Sequence, residues 1–140
     1  MIKKILNPGS YSWEINAALL FLRVSIGIFM LTHGTSKLIT LLEGGPISFA
    51  DPIGIDPVAS LALAVFAEVL CSILLIFGAA TRFAVIPLLI TMLVAVLIVH
   101  STDAFGVKEI ALLYLTVYIA IAITGAGKFS VDNLVYKKIS

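Results

Sequence analysis

Ionisable side chains interrupt the apolar segments of this 140-residue sequence at positions where they could carry chemistry. Arg23, His33 and Lys37 lie within one long apolar segment, and Glu68 is the charged residue of the next. Cationic, imidazole and carboxylate groups can together hydrogen-bond a polar head group and hold or release protons. These residue types therefore suggest ligand binding coupled to proton transfer, provided that the fold brings them together.

The first three of these residues share one face of a predicted helix. On a helix that turns about 100° per residue, Arg23, His33 and Lys37 fall within an arc of about 80°. Glu68 counts to near the middle of its own segment, so we expect a structural ion pair between Arg23 and Glu68, reached by the long arginine side chain. Tyr118 and His33 are the rival partners of Glu68, and Lys37 alternatively extends its amine to lipid head groups.

Further polar side chains stand near the ends of the apolar segments, and they converge if the segments alternate in direction. Polar groups inside hydrocarbon are costly, at about 2.5–3.5 kcal/mol for a charge, and they commonly mark functional sites. We therefore predict a ligand pocket near one membrane face. The tyrosines of this set equally suit packing with a satisfied hydroxyl. The predicted ligand-binding residues are His33, Lys37, Glu68, His100, Glu109, Tyr114 and Tyr118.

A metal or haem site is not expected. His33 and His100 could ligate either, but no Cys, Asp or Glu stands at ligand spacing from them. Hydrogen-bonded histidines at a helix interface are the simpler interpretation. Cys71 is the one cysteine of the chain, so the paired thiols of a disulfide-generating enzyme are missing.

The composition excludes several classes of protein. Hydrophobic residues make up 61% of the chain and charged residues 12%, and the mean hydropathy is +1.16. This is too apolar for a soluble enzyme or a disordered tail, which need abundant polar surface. The net charge of +1 argues against nucleic-acid binding, which requires clustered basic residues. The chain is therefore predicted to be an integral membrane protein.

The apolar segments predict an all-α fold, because a backbone in lipid must satisfy its own hydrogen bonds. Each segment approaches the roughly 20 residues needed to cross the bilayer, so we expect an antiparallel four-helix transmembrane bundle. Asp56 with Pro57 predicts the start of the second helix, and Thr81 is expected to cap the third. The predicted single domain 1–140 has helices at about 15–42, 57–78, 82–100 and 107–125, an outer loop 43–56 and a cytoplasmic tail 126–140. The loop is either a plain connector or a lid over the pocket.

The distribution of basic residues predicts the orientation. Seven lysines and arginines, including Lys3, Lys4 and the pair Lys137 and Lys138, fall on one side of the predicted membrane, against two on the other. Basic residues accumulate on the cytoplasmic side. Both termini are therefore expected in the cytoplasm, in a multi-pass protein of the bacterial inner membrane.

Short motifs of the chain resemble the DoxX family of small bacterial membrane proteins. The motifs are Leu22-Arg23, Gly27, His33-Gly34 and Lys37-Leu38 in the first helix, Glu68, Gly78 and Thr81-Arg82 around the second, and the ending Gly125-Ala126-Gly127-Lys128-Phe129-Ser130-Val131-Asp132. The resemblance covers essentially the whole chain and implies four helices in the inner membrane. It also implies links to quinone-dependent sulfur oxidation or to membrane redox complexes. The family's C-terminal motif falls on Gly125, Gly127, Lys128 and Asp132.

Two functions follow as hypotheses. The first is a quinone-interacting or redox-complex membrane subunit, at most the membrane part of a quinone-linked oxidoreductase, with quinone as its ligand. The second is a non-enzymatic scaffold or assembly partner that anchors a soluble oxidoreductase, with the basic segment Lys128–Lys138 as docking surface. Solute transport is a weaker third, because four helices form a narrow conduit unless they oligomerise. The lipid bilayer and a redox protein are the expected partners, nucleic acid is not, and a homo-oligomer stays open.

Overall fold

The structure is a computed structural model and describes residues 6–139. Helices joined by short connections make up this part of the chain. Lys3 and Lys4, which the orientation prediction counts, lie outside the described residues. The helices are α1 (Trp13–Glu43), α2 (Pro57–Phe77), α3 (Thr81–Val99), α4 (Phe105–Thr124) and α5 (Val131–Ile139).

Helices α1 to α4 are long and apolar enough to cross a membrane. The described chain is therefore all-helical and has the spans of a multi-pass membrane protein. Each of these helices begins and ends within two residues of the bounds predicted from sequence. Asp56 caps α2 as expected, because its carboxylate accepts hydrogen bonds from the amides of Val58 at 2.9 Å and Ala59 at 3.2 Å.

Two of the long helices contain a π-helical segment that the sequence did not indicate. In α2 this segment covers Phe66–Cys71, and in α3 it covers Ala95–Val99. A π-helical turn is wider than an α-helical turn, and such turns occur frequently at functional sites. Both segments border the cavity described below.

The long helices alternate in direction. The hydroxyl of Tyr11 before α1 donates to the carbonyl of Thr124 at 3.0 Å, and Nη1 of Arg82 in α3 donates to the carbonyl of Asn7 at 2.6 Å. The start of α1, the start of α3 and the end of α4 therefore meet at one end of the bundle. We call this the terminal end (residues 6–12, 78–82 and 124–139), and the opposite end, with connections 44–56 and 100–104, the loop end.

The packing of α2 divides it into two halves. Helix α1 packs along the whole of α2, whereas α3 packs on α4 and on the second half of α2, Phe66–Phe77. The first half, Pro57–Val65, packs chiefly on α1. The core between the helices is apolar, and its buried side chains include Met30, Leu75, Val85, Leu88 and Ile121. The bundle is consequently closed at its centre and looser between α2 and α3 near the loop end.

Candidate functional site

A cavity of about 470 Å³ lies at the loop end of the bundle. All four long helices and the connection 44–56 contribute side chains to its lining, most of which are apolar. Its volume is in the range of small-molecule sites, which are typically apolar with a few placed polar groups. The predicted site residues that line it are His33, Lys37, Glu68, His100 and Tyr114.

The central polar contact of the cavity joins α1 to α2. Lys37 Nζ donates to Glu68 Oε1 at 2.5 Å, and Glu68 is only 1% exposed. A lysine ammonium has three donors, and Glu68 is the one hydrogen-bond partner that Lys37 has among the described residues. Donors of Lys37 therefore stay available to a ligand in the cavity.

The predicted ion pair between Arg23 and Glu68 is wrong. Gly34 of α1 lies against the backbone of Glu68, whereas Gly78 lies against the guanidinium of Arg23. Ten residues of α2 separate these two levels, which is about 15 Å along the helix axis. Helical spacing puts Arg23 and Lys37 on one face of α1, but the register of α1 on α2 brings only Lys37 to Glu68.

The rings of His33 on α1 and Tyr114 on α4 extend the polar lining of the cavity across these two helices. The rings of His33 and Tyr114 meet edge to face with centroids 5.9 Å apart, and Tyr114 and Tyr118 are also 5.9 Å apart. Tyr118 is fully buried and does not line the cavity, so its role as a ligand contact stays a prediction. It lies one helical turn beyond Tyr114, where the core is closed.

His100 and Glu109 have different places at the loop end. His100 lines the cavity, and its Nδ1 lies 2.7 Å from Oδ2 of Asp103. Glu109 is exposed and does not line the cavity, which contradicts its predicted place in the pocket. The prediction considered only its depth, whereas Glu109 lies about 140° around α4 from Tyr114.

The connection 44–56 forms a roof over the cavity through Phe49, Pro52 and neighbouring residues. Asp51 fixes its fold: Oδ1 accepts from the hydroxyl of Ser60 at 2.8 Å, and the two carboxylate oxygens accept from the amides of Ile55 and Asp56, each at 3.0 Å. These hydrogen bonds, above all that of Ser60, lower the pKa of Asp51. The loop thus occupies the place that the lid hypothesis requires, and its motion stays a prediction.

Three buried polar atoms of α2 and α4 have no hydrogen-bond partner in the described structure, and of their residues only Glu68 lines the cavity: Glu68 Oε2, Ser72 Oγ and Tyr118 Oη. Glu68 and Ser72 are four residues apart on α2 and share a face. An unsatisfied buried polar atom costs about 1–3 kcal/mol. Arg23 Nε and Thr81 Oγ1 at the terminal end are unsatisfied as well, so such atoms do not by themselves mark the site.

The family motif at the end of the sequence forms a second polar cluster, at the terminal end. Arg23 is buried, and its Nη1 and Nη2 donate to the carbonyls of Ala126 at 2.6 Å and Phe129 at 2.8 Å. Asp132 accepts from the amides of Ala80 at 2.6 Å and Thr81 at 2.9 Å. Asp132 therefore caps α3 from a distant part of the chain, and the predicted cap by Thr81 is wrong.

The glycines and the lysine of that motif allow the chain to turn back onto α1. Gly127 has φ of +75°, a conformation that favours glycine. The amide of Lys128 donates to Oδ1 of Asn16 at 2.6 Å, and the side chain of Lys128 is exposed. Gly125, with φ of +82°, begins the turn beside Arg82. The predicted tail 126–140 thus starts with a segment fastened to the bundle and continues as helix α5.

Comparisons with known proteins place the chain in a family. The family described as DoxX matches residues 18–101 of the chain. A protein of Haemophilus influenzae described as uncharacterized is 31% identical over 130 residues, which cover 86% of this chain and 92% of that protein. A protein of Bacillus subtilis named "Putative oxidoreductase CatD" is 33% identical over 129 residues, which cover 90% of this chain and 91% of that protein. No solved structure matches the chain.

Proposed function

The chain belongs to the DoxX family, and from this premise we propose that it is a quinone-interacting membrane subunit of an oxidoreductase. The observation that carries the proposal is the Lys37–Glu68 pair in an otherwise largely apolar cavity at the loop end. The name of the Bacillus subtilis relative, an oxidoreductase, supports the same class of function.

The lining residues fit a quinone head group by their chemistry. A quinone presents two carbonyl acceptors on an apolar ring, and when bound it supplies reversible uptake of two electrons and two protons. Lys37 offers ammonium donors, and Tyr114 offers a hydroxyl donor from the facing helix. Glu68 orients Lys37 by accepting its hydrogen bond. Apolar side chains such as Met30 and Met92 line the same cavity and suit the faces of a ring.

Proton handling falls to the histidines that line the cavity. His33 is in ring contact with Tyr114, so it can hold a proton near the ligand. His100, held by Asp103, stands at the same end of the bundle. Electrons would come from a redox protein partner, in keeping with a subunit role.

The proposal is tested by extracting the purified protein. Protein prepared in mild detergent or lipid nanodiscs should carry quinone, detected by mass spectrometry of organic extracts, in excess over an unrelated four-helix membrane protein prepared alongside. Glu68→Gln should lose the bound quinone because Lys37 is no longer held by a carboxylate. A quinone content equal to that of the unrelated protein would refute the proposal.

We further propose that the terminal end faces the cytoplasm of a bacterial inner membrane. The terminal end presents the basic residues Arg82, Lys128, Lys137 and Lys138, whereas the loop end carries most of the acidic groups, among them Asp51 and Asp103. The native cysteine is buried, so single cysteines at the exposed positions Thr102 and Lys138 can report the orientation. An impermeant maleimide applied to intact cells should label Thr102→Cys and spare Lys138→Cys; the reverse pattern would show the opposite orientation.

A scaffold that anchors a soluble oxidoreductase is the second candidate function. It is favoured by α5, whose exposed Lys137 and Lys138 stand on a helix that Asp132 fixes to the bundle. Crosslinking in native membranes should recover a soluble partner with the wild type and not with a Lys137→Glu/Lys138→Glu variant. Equal recovery with both would count against this surface.

A further inference from the structure

We propose that the loop-end cavity opens sideways into the bilayer between the first half of α2 and the second half of α3. Its ligand is then a lipid-borne molecule whose apolar tail leaves through this gap. The inference rests on the proposed function and names the class of quinone: one with a long apolar chain that enters from the membrane. Leu63 on α2 and Ile90 on α3 are the two sides of the opening, which we call the portal.

The packing of the helices leaves room for the portal. Helix α3 contacts α2 through Phe66–Phe77, while Pro57–Val65 packs chiefly on α1. The π-helical end of α3, Ala95–Val99, contains no buried residue. The two helices are therefore in contact below the cavity and separate beside it.

The portal residues are exposed as well as cavity-lining. Leu63 is 53% exposed and Ile90 is 55% exposed, and both also line the cavity. Ile110 on α4 is exposed to a similar extent, at 57%, so the packing of α2 against α3 is the observation that selects this gap. Leu63 is six residues into α2, about 9 Å from its start. At that depth in a membrane-spanning helix the surroundings are hydrocarbon, and two large apolar side chains suit a route for an apolar chain.

The polar head of the ligand then lies deep in the cavity, and its apolar tail lies in the portal. Glu68 lies five residues beyond Leu63, about 7.5 Å deeper along α2. A head group at Lys37 and Glu68 leaves its tail directed back past Leu63 into the lipid. The opposite gap, between α1 and α4, is crossed by the contact between His33 and Tyr114. The ring contact therefore obstructs an alkyl chain on that side.

The experiment plugs the portal with a large side chain. Ile90→Trp is compared with Ile86→Trp, a matched control on the same face one turn away that is 50% exposed and does not line the cavity. Ile110→Trp, at a cavity residue of α4 that is 57% exposed, tests the other gap. Leu63→Trp blocks the portal from its other side and serves as the second variant if Ile90→Trp does not fold. The probes are 2,3-dimethoxy-5-methylbenzoquinone and its decyl derivative.

The expected result is selective loss of the long-chain probe. Ile90→Trp should weaken binding of the decyl derivative by about tenfold and leave the tail-less quinone within about twofold, while Ile86→Trp changes neither. Equal effects of Ile90→Trp and Ile86→Trp, or a loss caused by Ile110→Trp instead, would overturn the portal while leaving the quinone site intact.

A second readout separates failure of the portal from failure of the proposed function. If the wild type binds neither quinone, the proposed function fails, and the portal is judged by a cysteine placed in the cavity at Ala64 on a Cys71→Ala background. A maleimide with a dodecyl chain, dissolved in the bilayer, should label Ala64→Cys more slowly when Ile90→Trp is added and equally fast with Ile86→Trp. Unchanged labelling with Ile90→Trp would overturn the portal.

Discussion

The two ends of the bundle use buried charges in opposite ways. At the terminal end, Arg23 and Asp132 direct their hydrogen bonds to main-chain carbonyls and amides of other segments. At the loop end, Lys37 and Glu68 bond to each other beside a cavity, and one carboxylate oxygen of Glu68 has no partner in the described structure. Each end leaves buried polar atoms without a partner in the described structure, Arg23 Nε and Thr81 Oγ1 at the one and Glu68 Oε2 at the other. The contrast lies in the partners, because a cation and a carboxylate bond to the main chain at the terminal end and to each other at the loop end.

This difference separates structural from functional charges inside a membrane protein. A buried charge bonded to the main chain fixes where the chain runs, since it cannot be removed without leaving peptide groups unpaired. A pair whose side chains bond only to each other, such as Lys37 with the buried Glu68, can be exchanged as a unit. Two stability measurements, one at each end, therefore test whether the distinction is correct.

The largest effect is expected at the terminal end. The double variant Arg23→Met/Asp132→Leu should lose at least about 3 kcal/mol of unfolding free energy, because it leaves the carbonyls of Ala126 and Phe129 and the start of α3 without partners. Cys71 is only 2% exposed and reports unfolding through a thiol-reactive dye during heating. Lys137→Ala on the exposed side of α5 is the control. An unfolding midpoint equal to that of the control would remove the contrast between the two ends.

At the loop end, replacing one member of the Lys37–Glu68 pair should lower the unfolding free energy strongly, whereas replacing both members should lower it only slightly. Lys37→Met leaves the buried carboxylate of Glu68 unpaired and should cost about 3 kcal/mol or more. Adding Glu68→Leu should recover stability to within about 1 kcal/mol of the wild type, since an apolar pair replaces the ion pair. The same dye assay measures both. A double variant as unstable as Lys37→Met would show that the pair has structural partners of its own.

The fold was predictable from sequence to a large extent because membrane insertion constrains it strongly. Segment length and apolarity define α1 to α4, and Asp56 with Pro57 marks the start of α2. Lys37 and Glu68, which the structure brings together beside a cavity, were recognisable as candidate site residues because lipid makes such groups costly. These signals are local, and each depends on one helix at a time.

The remaining features depend on contacts between helices, which one sequence does not contain. The partner of Glu68 depends on the register of α1 on α2. The prediction for Glu109 failed because it depends on the rotation of α4 about its own axis. The cap on α3 comes from Asp132, far away in the chain. The π-helical segments at Phe66–Cys71 and Ala95–Val99 have no distinct residue pattern, so nothing in the sequence signalled them.

A smaller effect is expected from the glycines that set the register of α1. Gly34→Ala places a methyl group 2.8 Å from the backbone of Glu68, whereas Gly27→Ala places one 2.5 Å from Cγ1 of Ile76 and 3.2 Å from the carbonyl of Ser72. Each should therefore cost about 1–3 kcal/mol of unfolding free energy, because α1 must move away from α2. Gly34→Ala should also weaken quinone binding, since it displaces α1 at Glu68, and Gly27→Ala should leave binding intact. Chemical denaturation in detergent together with quinone titration distinguishes the two. Equal loss of binding in both variants would contradict the proposed register.

The smallest effect concerns the roof of the cavity and its dependence on pH. Because hydrogen bonds from Ser60 and from the amides of Ile55 and Asp56 lower the pKa of Asp51 below its ordinary value of 3.8, the carboxylate stabilises the connection 44–56 above that pH. The stabilisation should fade as the pH falls through the lowered value. Hydrogen exchange of the Ile55 amide, compared between the wild type and Ser60→Ala, measures it. Protection of this amide that persists unchanged at lower pH would show that Asp51 does not hold the roof.

The division between a structural end and a ligand-binding end is tested most directly by one quinone titration. Affinity for decyl-ubiquinone should fall at least about tenfold in Glu68→Gln. It should stay unchanged in Glu109→Gln, which alters a carboxylate at the same end of the bundle but outside the cavity. Equal affinities in both variants, or no binding by the wild type, would contradict the assignment of the loop-end cavity as the functional site.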